Sequence, residues 1–379
     1  MDYKSQIERF KIENQYRFLK DIESIDEKHI LYKGKKLINL ASNDYLGIST
    51  NKNLYDSFIA KLKQNKYQLS STSSRLLSGN YDIYSKLEDL IAKAYNKSAL
   101  IYNSGYHVNT GVLPVLTTKK DLIIADKLIH ASLIDGIKLS DANFIRFKHK
   151  DYQQLEDILN KERTKYKNVF IISESTFSMD GDNANLQKLV NIKQKFDAIL
   201  YIDEAHSVGV YGKTGLGLCE EQNLINDIDI IVGTFGKAIA SVGAFAALNA
   251  DAKEMLINKS RSLIYTTALP PINLEWTYFV FERLNEFDKE RESLKQLNKQ
   301  IISLFKAKGI NIDAENHIIP IITKTNENTL KIYDKLLEAG YFVSAVRPPT
   351  VPTNTARIRL SLKSNLDIND FEGLVGLFG

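Results

Sequence analysis

Residues 228–237 read Ile228-Asp229-Ile230-Ile231-Val232-Gly233-Thr234-Phe235-Gly236-Lys237. An apolar run of strand type stops at glycine and threonine, and an amine follows at once. Only Asp229 interrupts the run, near its start, where a strand end still reaches water. Runs of the same kind lie upstream at Leu100-Ile101-Tyr102, Leu122-Ile123-Ile124, Val169-Phe170-Ile171-Ile172 and Ile199-Leu200-Tyr201-Ile202. Short runs without polar alternation are strands buried on both faces. With helical stretches between them, they predict a βα series around a mostly parallel sheet, so the fold class is α/β.

Outward from this core, Tyr3, Ile7, Phe10 and then Ile12, Tyr16, Leu19 recur at helical spacing, predicting an amphipathic helix over the first 22 residues that packs against a neighbour. Ile30-Leu31-Tyr32 and Leu37-Ile38-Asn39-Leu40, separated by Lys33-Gly34-Lys35, predict a hairpin. Beyond Leu269-Pro270-Pro271, the amphipathic stretch from Leu274 to Lys308 predicts paired helices. They lead to a small α/β domain with a strand at Ile318–Ile322, a helix at Leu330–Leu337 ending at Gly340, and strands at Tyr341–Val346 and Ile358–Leu362. The expected division is an N-terminal segment 1–44, a large domain 45–272, and bridging helices with the small C-terminal domain over 273–379.

Of the 379 residues 44% are hydrophobic, enough for a sizeable core. The net charge of +4 is dispersed rather than gathered on one face, which argues against nucleic acid as a partner. The single cysteine, Cys219, excludes an intrachain disulfide and a thiolate metal cluster and suits a reducing compartment; no metal site is expected. Residues 1–20 contain no apolar leader core, and no later run is long enough to span a bilayer, so a soluble cytoplasmic protein without a membrane partner is expected.

In open α/β sheets ligands sit beyond the carboxyl ends of the strands. Asp203-Glu204-Ala205-His206, Ser173 to Ser178, Ser104-Gly105-Tyr106 and Gly233 to Lys237 all follow apolar runs. Taken singly, each is an ordinary cap or turn. Together they put a carboxylate, an amine, hydroxyls and glycines at one edge. That is what pyridoxal 5'-phosphate requires: a lysine for the imine, a carboxylate to keep the ring nitrogen protonated, and donors for the phosphate.

Ala41-Ser42-Asn43-Asp44-Tyr45-Leu46-Gly47, Asp126-Lys127-Leu128-Ile129-His130-Ala131-Ser132, Phe177-Ser178-Met179-Asp180-Gly181-Asp182, Asp203-Glu204-Ala205-His206 and Thr234-Phe235-Gly236-Lys237 resemble the α-oxoamine synthases in order and across nearly the whole chain. Those are fold-type I pyridoxal-phosphate transferases that join an amino acid to an acyl thioester with loss of carbon dioxide. Arg347-Pro348-Pro349-Thr350-Val351-Pro352 and Thr355-Ala356-Arg357-Ile358-Arg359-Leu360 are most similar to the members that use L-alanine and a pimeloyl thioester, carried on coenzyme A or acyl carrier protein. Glycine-using members such as 2-amino-3-ketobutyrate CoA ligase usually lack the Arg-Pro-Pro. Such a member is one alternative, and a non-catalytic partner subunit is another, against which retention of Lys237, Asp203 and His206 argues.

By the family pattern Lys237 forms the imine and, once freed, takes the Cα proton of the amino acid. Asp203 pairs with the pyridine nitrogen, His206 with the ring phenolate oxygen, and His130 lies against the other ring face and meets the substrate. Gly105, Tyr106, Ser178 and Thr234 complete the cofactor site, Gly105 by close backbone approach and the two hydroxyls by hydrogen bonds. Thr266 and Thr267 resemble a segment that reaches the phosphate from a second subunit, which implies a homodimer. Asn43 and Arg359 bind the substrate carboxylate; Arg357 shares the strand face two residues away, and an exchange of roles between the arginines stays open. Arg17 and Thr350 map to the acyl side.

Three departures accompany the resemblance. Ser70-Ser71-Thr72-Ser73-Ser74 replaces a glycine-rich loop, predicting that backbone conformations with φ > 0 are lost there. Tyr84 and Leu366 stand where the family has histidines, and Ala240 and Ala244 where it has glycines after the lysine.

Overall fold

The computed structural model describes residues 2–63, 68–310, 312 and 314–378. The chain divides into two compact units. The first combines Met1–Asn51, Ser178–Asp182 and Lys289–Gly379; the second combines Lys52–Phe177 and Asn183–Asp288. The expected three segments, 1–44, 45–272 and 273–379, thus give way to two units, because the N-terminal hairpin pairs with a strand from the C-terminal part.

In chain order the strands are β1 (Glu23–Ser24), β2 (His29–Tyr32) and β3 (Lys35–Asn39) in the first unit. Then come β4 (Ser98–Tyr102), β5 (Leu122–Asp126), β6 (Asn143–Phe147), β7 (Val169–Glu174), β8 (Ile199–Asp203), β9 (Ile230–Thr234) and β10 (Ala244–Leu248) in the second. The first unit resumes with β11 (Ile318–Lys324), β12 (Tyr341–Phe342), β13 (Ser344–Val346) and β14 (Ala356–Ser361).

The second unit is built on a sheet of order β4-β10-β9-β8-β7-β5-β6. Only β10 runs antiparallel to its neighbours, so the sheet is mostly parallel, as expected. The runs of β5 and β7 are buried at every position. Two strands were not legible in the sequence. Edge strand β6 carries exposed Asn143, Phe144 and Arg146, and β10 is alanine-rich, so neither shows the β-branched run that marks its neighbours. The strand expected from Ile228 begins at Ile230, because Asp229 is used instead to accept the Leu200 N–H at 2.7 Å and to pair with Lys193 at 2.9 Å. The expected paired helices are present at Pro271–Phe281 and Asp288–Ala307.

In the first unit the hairpin β2–β3 closes on Lys33 and Gly34, both with positive φ, the backbone of a two-residue turn matched to strand twist. Its sheet is β1-β2-β3-β12, with Ile30, Tyr32, Leu37 and Phe342 clustered on one face. The strand expected over 341–346 is split at Val343. β12 pairs with β3, whereas β13 pairs with β14 in a second sheet of order β11-β14-β13.

The N-terminal helix is shorter than its periodicity predicts. It spans Tyr3–Ile12, none of its residues is buried, and Asn14 breaks it at φ +53°. Beyond it the Arg347 guanidinium donates to the carbonyls of Asn14 and Tyr16, groups a continuing helix would use internally. No described helix is long and apolar enough to cross a membrane.

Candidate active site

The carboxyl ends of β7, β8 and β9 deliver Glu174, Asp203 and Thr234 to one edge of the second unit, and Lys237 follows β9 as a half-buried amine. Asp203 is 5% exposed. Its Oδ1 accepts the Ala205 N–H at 2.9 Å, and its Oδ2 accepts the Asn109 side-chain amide at 2.9 Å. Asn109 lies one turn into the Gly105–Leu116 helix, takes the Tyr201 hydroxyl at 2.6 Å on its Oδ1, and also donates to Ser132 Oγ at 2.9 Å. Ser132 in turn meets His130 Nδ1 through its hydroxyl at 2.7 Å and its backbone N–H at 3.2 Å. Nδ1 is therefore an acceptor, and the proton of the neutral imidazole sits on Nε2. This network joins Asp203 to His130 through Asn109 and Ser132. Sequence reading did not single out Asn109 or Tyr201. The available signal was an amide set among Val108, Val112 and Leu113 on the apolar face of its helix.

Burial lowers the pKa of His130, with the Lys237 ammonium acting in the same direction against Asp203 and Asp135. The ring is thus held neutral at ordinary pH. His206 is buried beside Ser207, which hydrogen-bonds with both Ser175 and Thr176.

Gly105 opens the helix behind the Ser104 cap; a Cβ there would lie 3.9 Å from the Thr234 side chain, so the two residues face each other. The Thr234 hydroxyl donates to Gly243 O at 3.1 Å and accepts the Gly236 N–H at 3.3 Å. Tyr106 is exposed, with its phenol bonded to Asp135. Thr266 and Thr267 lie beside the end of β4 in the same chain, where Asn103 Nδ2 donates to Thr267 O at 2.6 Å and Thr266 Oγ1 at 3.3 Å.

This donor set fits the expected cofactor. A half-buried amine, a buried carboxylate anchored by two donors with lone pairs left for a ring N–H, and the open N–H groups of a twelve-residue helix beside a threonine suit an imine, a pyridinium and a phosphate respectively.

The first unit holds the arginines. Arg359 is 5% exposed, and its bonds run to Ser178 O at 2.7 Å, Ser361 Oγ at 2.6 Å and Asn43 Oδ1 at 3.3 Å from both terminal nitrogens. Arg357 instead pairs with Asp180 at 2.7 Å and donates to Met179 O at 2.9 Å. Ser178, expected among the cofactor ligands, belongs to this unit and serves Arg359 through its carbonyl. Arg17 donates to Thr350 Oγ1 at 2.8 Å, which joins the two acyl-side candidates. Arg17 stands outside the helix, on a segment without regular secondary structure.

The departures have structural answers. Thr72 adopts φ +50°, so the serine-rich loop takes a left-handed position without glycine, against expectation. Its flanks are fixed by Ser71 Oγ on Leu269 O at 2.6 Å and by the Ala268 N–H on Ser73 O at 2.9 Å. Tyr84 is buried, accepts the Leu269 N–H at 2.7 Å and carries the Arg75 guanidinium 4.0 Å above its ring. Ala240 holds φ +51° and accepts from Trp276 Nε1 at 2.9 Å. Leu366 and Ala244 are buried.

A mostly parallel sheet with this lysine, carboxylate and histidine set at its carboxyl edge defines a fold-type I pyridoxal-phosphate enzyme. Residues 35–376 match the model of the family described as aminotransferase class I and II. A Haemophilus influenzae (strain 86-028NP) protein, provisionally named an 8-amino-7-oxononanoate synthase, is 47% identical over 375 residues, 98% of each chain. The 8-amino-7-oxononanoate synthase from Francisella tularensis is 32% identical with a TM-score of 0.77, covering 90% of this chain and 96% of that one. A serine palmitoyltransferase from S. paucimobilis with a bound PLP–myriocin aldimine is 25% identical with a TM-score of 0.90, covering 99% and 95%. The chain therefore belongs to the class I and II aminotransferase family and, within it, to the α-oxoamine synthases, most like 8-amino-7-oxononanoate synthase. It is a pyridoxal-phosphate-dependent acyltransferase.

Proposed function

We propose that the protein condenses L-alanine with a pimeloyl thioester, releasing carbon dioxide and the free thiol carrier and giving 8-amino-7-oxononanoate for biotin biosynthesis. The observation that carries the amino-acid half is Arg359. A buried guanidinium whose hydrogen bonds, among the described residues, all go to neutral acceptors leaves its charge uncompensated, which is costly unless an anion arrives. Arg357, already neutralised by Asp180, has no such need. A substrate carboxylate meets the planar fork of Arg359, with Asn43 beside it.

The cofactor supplies an electron sink for a Cα carbanion and for the decarboxylation that follows acyl transfer. Lys237 would hold it covalently, and its free amine would take the Cα proton. Asp203, held by Asn109 and Ala205, would pair with the ring nitrogen. His206 and His130 would meet the ring, His130 in its neutral form. Gly105, Tyr106, Ser178 and Thr234 complete the holding set, and Thr266 and Thr267 serve the site of a second subunit in a cytoplasmic homodimer. Arg17 and Thr350 receive the acyl substrate.

The test is mass spectrometry of products from purified protein given alanine, glycine or serine with a panel of acyl thioesters on coenzyme A and on acyl carrier protein. The expected product is 8-amino-7-oxononanoate from alanine and the pimeloyl thioester. A glycine-derived product places the chain with the 2-amino-3-ketobutyrate ligases, a long-chain serine product with the palmitoyltransferases, and no product with non-catalytic partner subunits. Borohydride reduction followed by peptide mapping checks Lys237 independently; an adduct on another lysine overturns the assignment.

A further inference from the structure

One buried acid at the sheet edge has no part in the chemistry above. Glu174 ends β7, is 4% exposed, and is the register partner of Asp203 across the parallel β7–β8 ladder. Paired residues of a ladder project from the same face, so two carboxyl groups stand side by side. Their donors are unequal. Asp203 accepts two hydrogen bonds, from Ala205 and Asn109. Glu174 accepts the backbone N–H of His130, while its Oε1 is buried with no hydrogen-bond partner among the described residues. Adjacent buried carboxyl groups resist double ionisation, and the one with more donors keeps the charge.

The titratable groups around Glu174 are Asp203 on β8, Asp126 at the end of β5, Lys237 after β9 and His130 at the cap of the following helix. Burial and then Asp203 push its acid well above the ordinary range, Lys237 and the His130 N–H pull the other way, and Asp126 adds to the upward push.

We propose that Glu174 is a neutral carboxylic acid that acts as a positioning residue, anchoring the backbone of His130 and leaving Asp203 as the charged member of this carboxyl pair. A second carboxylate here would hold the proton more tightly on Lys237, the amine that must be free to take one. The part concerning the ring rests on the assignments of Asp203 and Lys237 made above.

The test uses the holoenzyme and the variants E174Q and E174A. The first readout is the pH titration of the Lys237 imine absorbance band. A neutral Glu174 leaves the E174Q midpoint within about 0.3 pH of the parent. A charged one, once removed, lowers it by about 1 pH or more, and that outcome overturns the proposal. The second readout is kcat. E174A, which loses the acceptor for His130, should fall about tenfold, and E174Q, which keeps one, should restore most of that loss. Equal losses in both variants overturn the positioning role. Should borohydride find no imine on Lys237, the cofactor assignment fails separately. Infrared spectra of protein carrying isotope-labelled glutamate then still decide the protonation. A carboxylic-acid carbonyl band at neutral pH that E174Q removes supports the proposal, and its absence overturns it.

Discussion

Asn109 Nδ2 lies 2.9 Å from Asp203 Oδ2, and the carbonyl of the same amide takes the Tyr201 hydroxyl at 2.6 Å. One side chain thus orients the acid and satisfies a buried phenol. Asn109→Ala strands that phenol and removes a donor from Asp203, so unfolding in denaturant should show a loss of about 1–3 kcal/mol. Asp203→Asn should keep the fold and bind cofactor, yet lower turnover by about 100-fold to 1000-fold, the scale for removing a key electrostatic group. Near-normal exchange of the alanine Cα proton in Asp203→Asn would remove Asp203 from the ring-nitrogen role.

Arg359 and Arg357 should separate under the same substitution. Lysine keeps the charge but loses the fork, so Arg359→Lys should raise the amino-acid requirement by an amount equivalent to about 1.5–3 kcal/mol, with little change for the acyl thioester. Arg357→Lys should act mainly on stability, by loosening the contacts with Asp180 and Met179. Arg17→Ala, which loses the bond to Thr350, should weaken the acyl substrate and spare the amino acid. Paired titrations with alanine and pimeloyl thioester read all three; loss of alanine binding in Arg357→Lys alone exchanges the two arginine roles.

Glu204 is fully buried, with Oε1 accepting from the Cys219 N–H at 3.2 Å and thiol at 3.0 Å. Burial is the largest cause pushing its pKa up, to about 7 from 4.5. The folded state therefore holds a proton that the unfolded chain releases above pH 4.5. The stabilisation is complete below that pH, declines as pH rises toward about 7, and is gone above it. The full span corresponds to about 3 kcal/mol. Glu204→Gln, neutral throughout, should flatten this part of the stability curve measured by chemical denaturation; an unchanged slope would show that other groups produce it.

Ala240 holds a left-handed backbone at φ +51°, where a Cβ is unfavourable, and its N–H and carbonyl are both engaged, with Lys237 O and Trp276. Ala240→Gly should relieve the strain and stabilise the protein by about 1 kcal/mol, visible as a higher Tm. Gly243→Ala should do the opposite, since φ is +113° and the new Cβ would lie 2.8 Å from Leu269 Cδ1. A fall in Tm for Ala240→Gly would mean that chain entropy outweighs the strain at this turn.

The apolar runs ending at Tyr102, Ile124, Ile172, Ile202 and Val232 were enough to define the α/β class, because strands buried on both faces must be apolar throughout and so announce themselves locally. The motif residues Asp203, His206 and Lys237 stood out for a related reason: each lies at or just beyond the end of such a run, and the end of a strand is a fixed place in the fold. Local pattern could not settle what depends on a distant partner. Helical periodicity continued past Ile12, yet the carbonyls of Asn14 and Tyr16 go to Arg347, more than three hundred residues away in sequence. The run 341–346 looked like one strand until β3 and β14 each claimed half. Arg357 and Arg359 are equivalent by spacing, and only tertiary contact gives Asp180 to one and neutral acceptors to the other. Asn109 and Glu174 escaped notice because a buried polar side chain reveals its purpose only through what lies against it, and that is decided by which strands and helices the folded chain sets side by side.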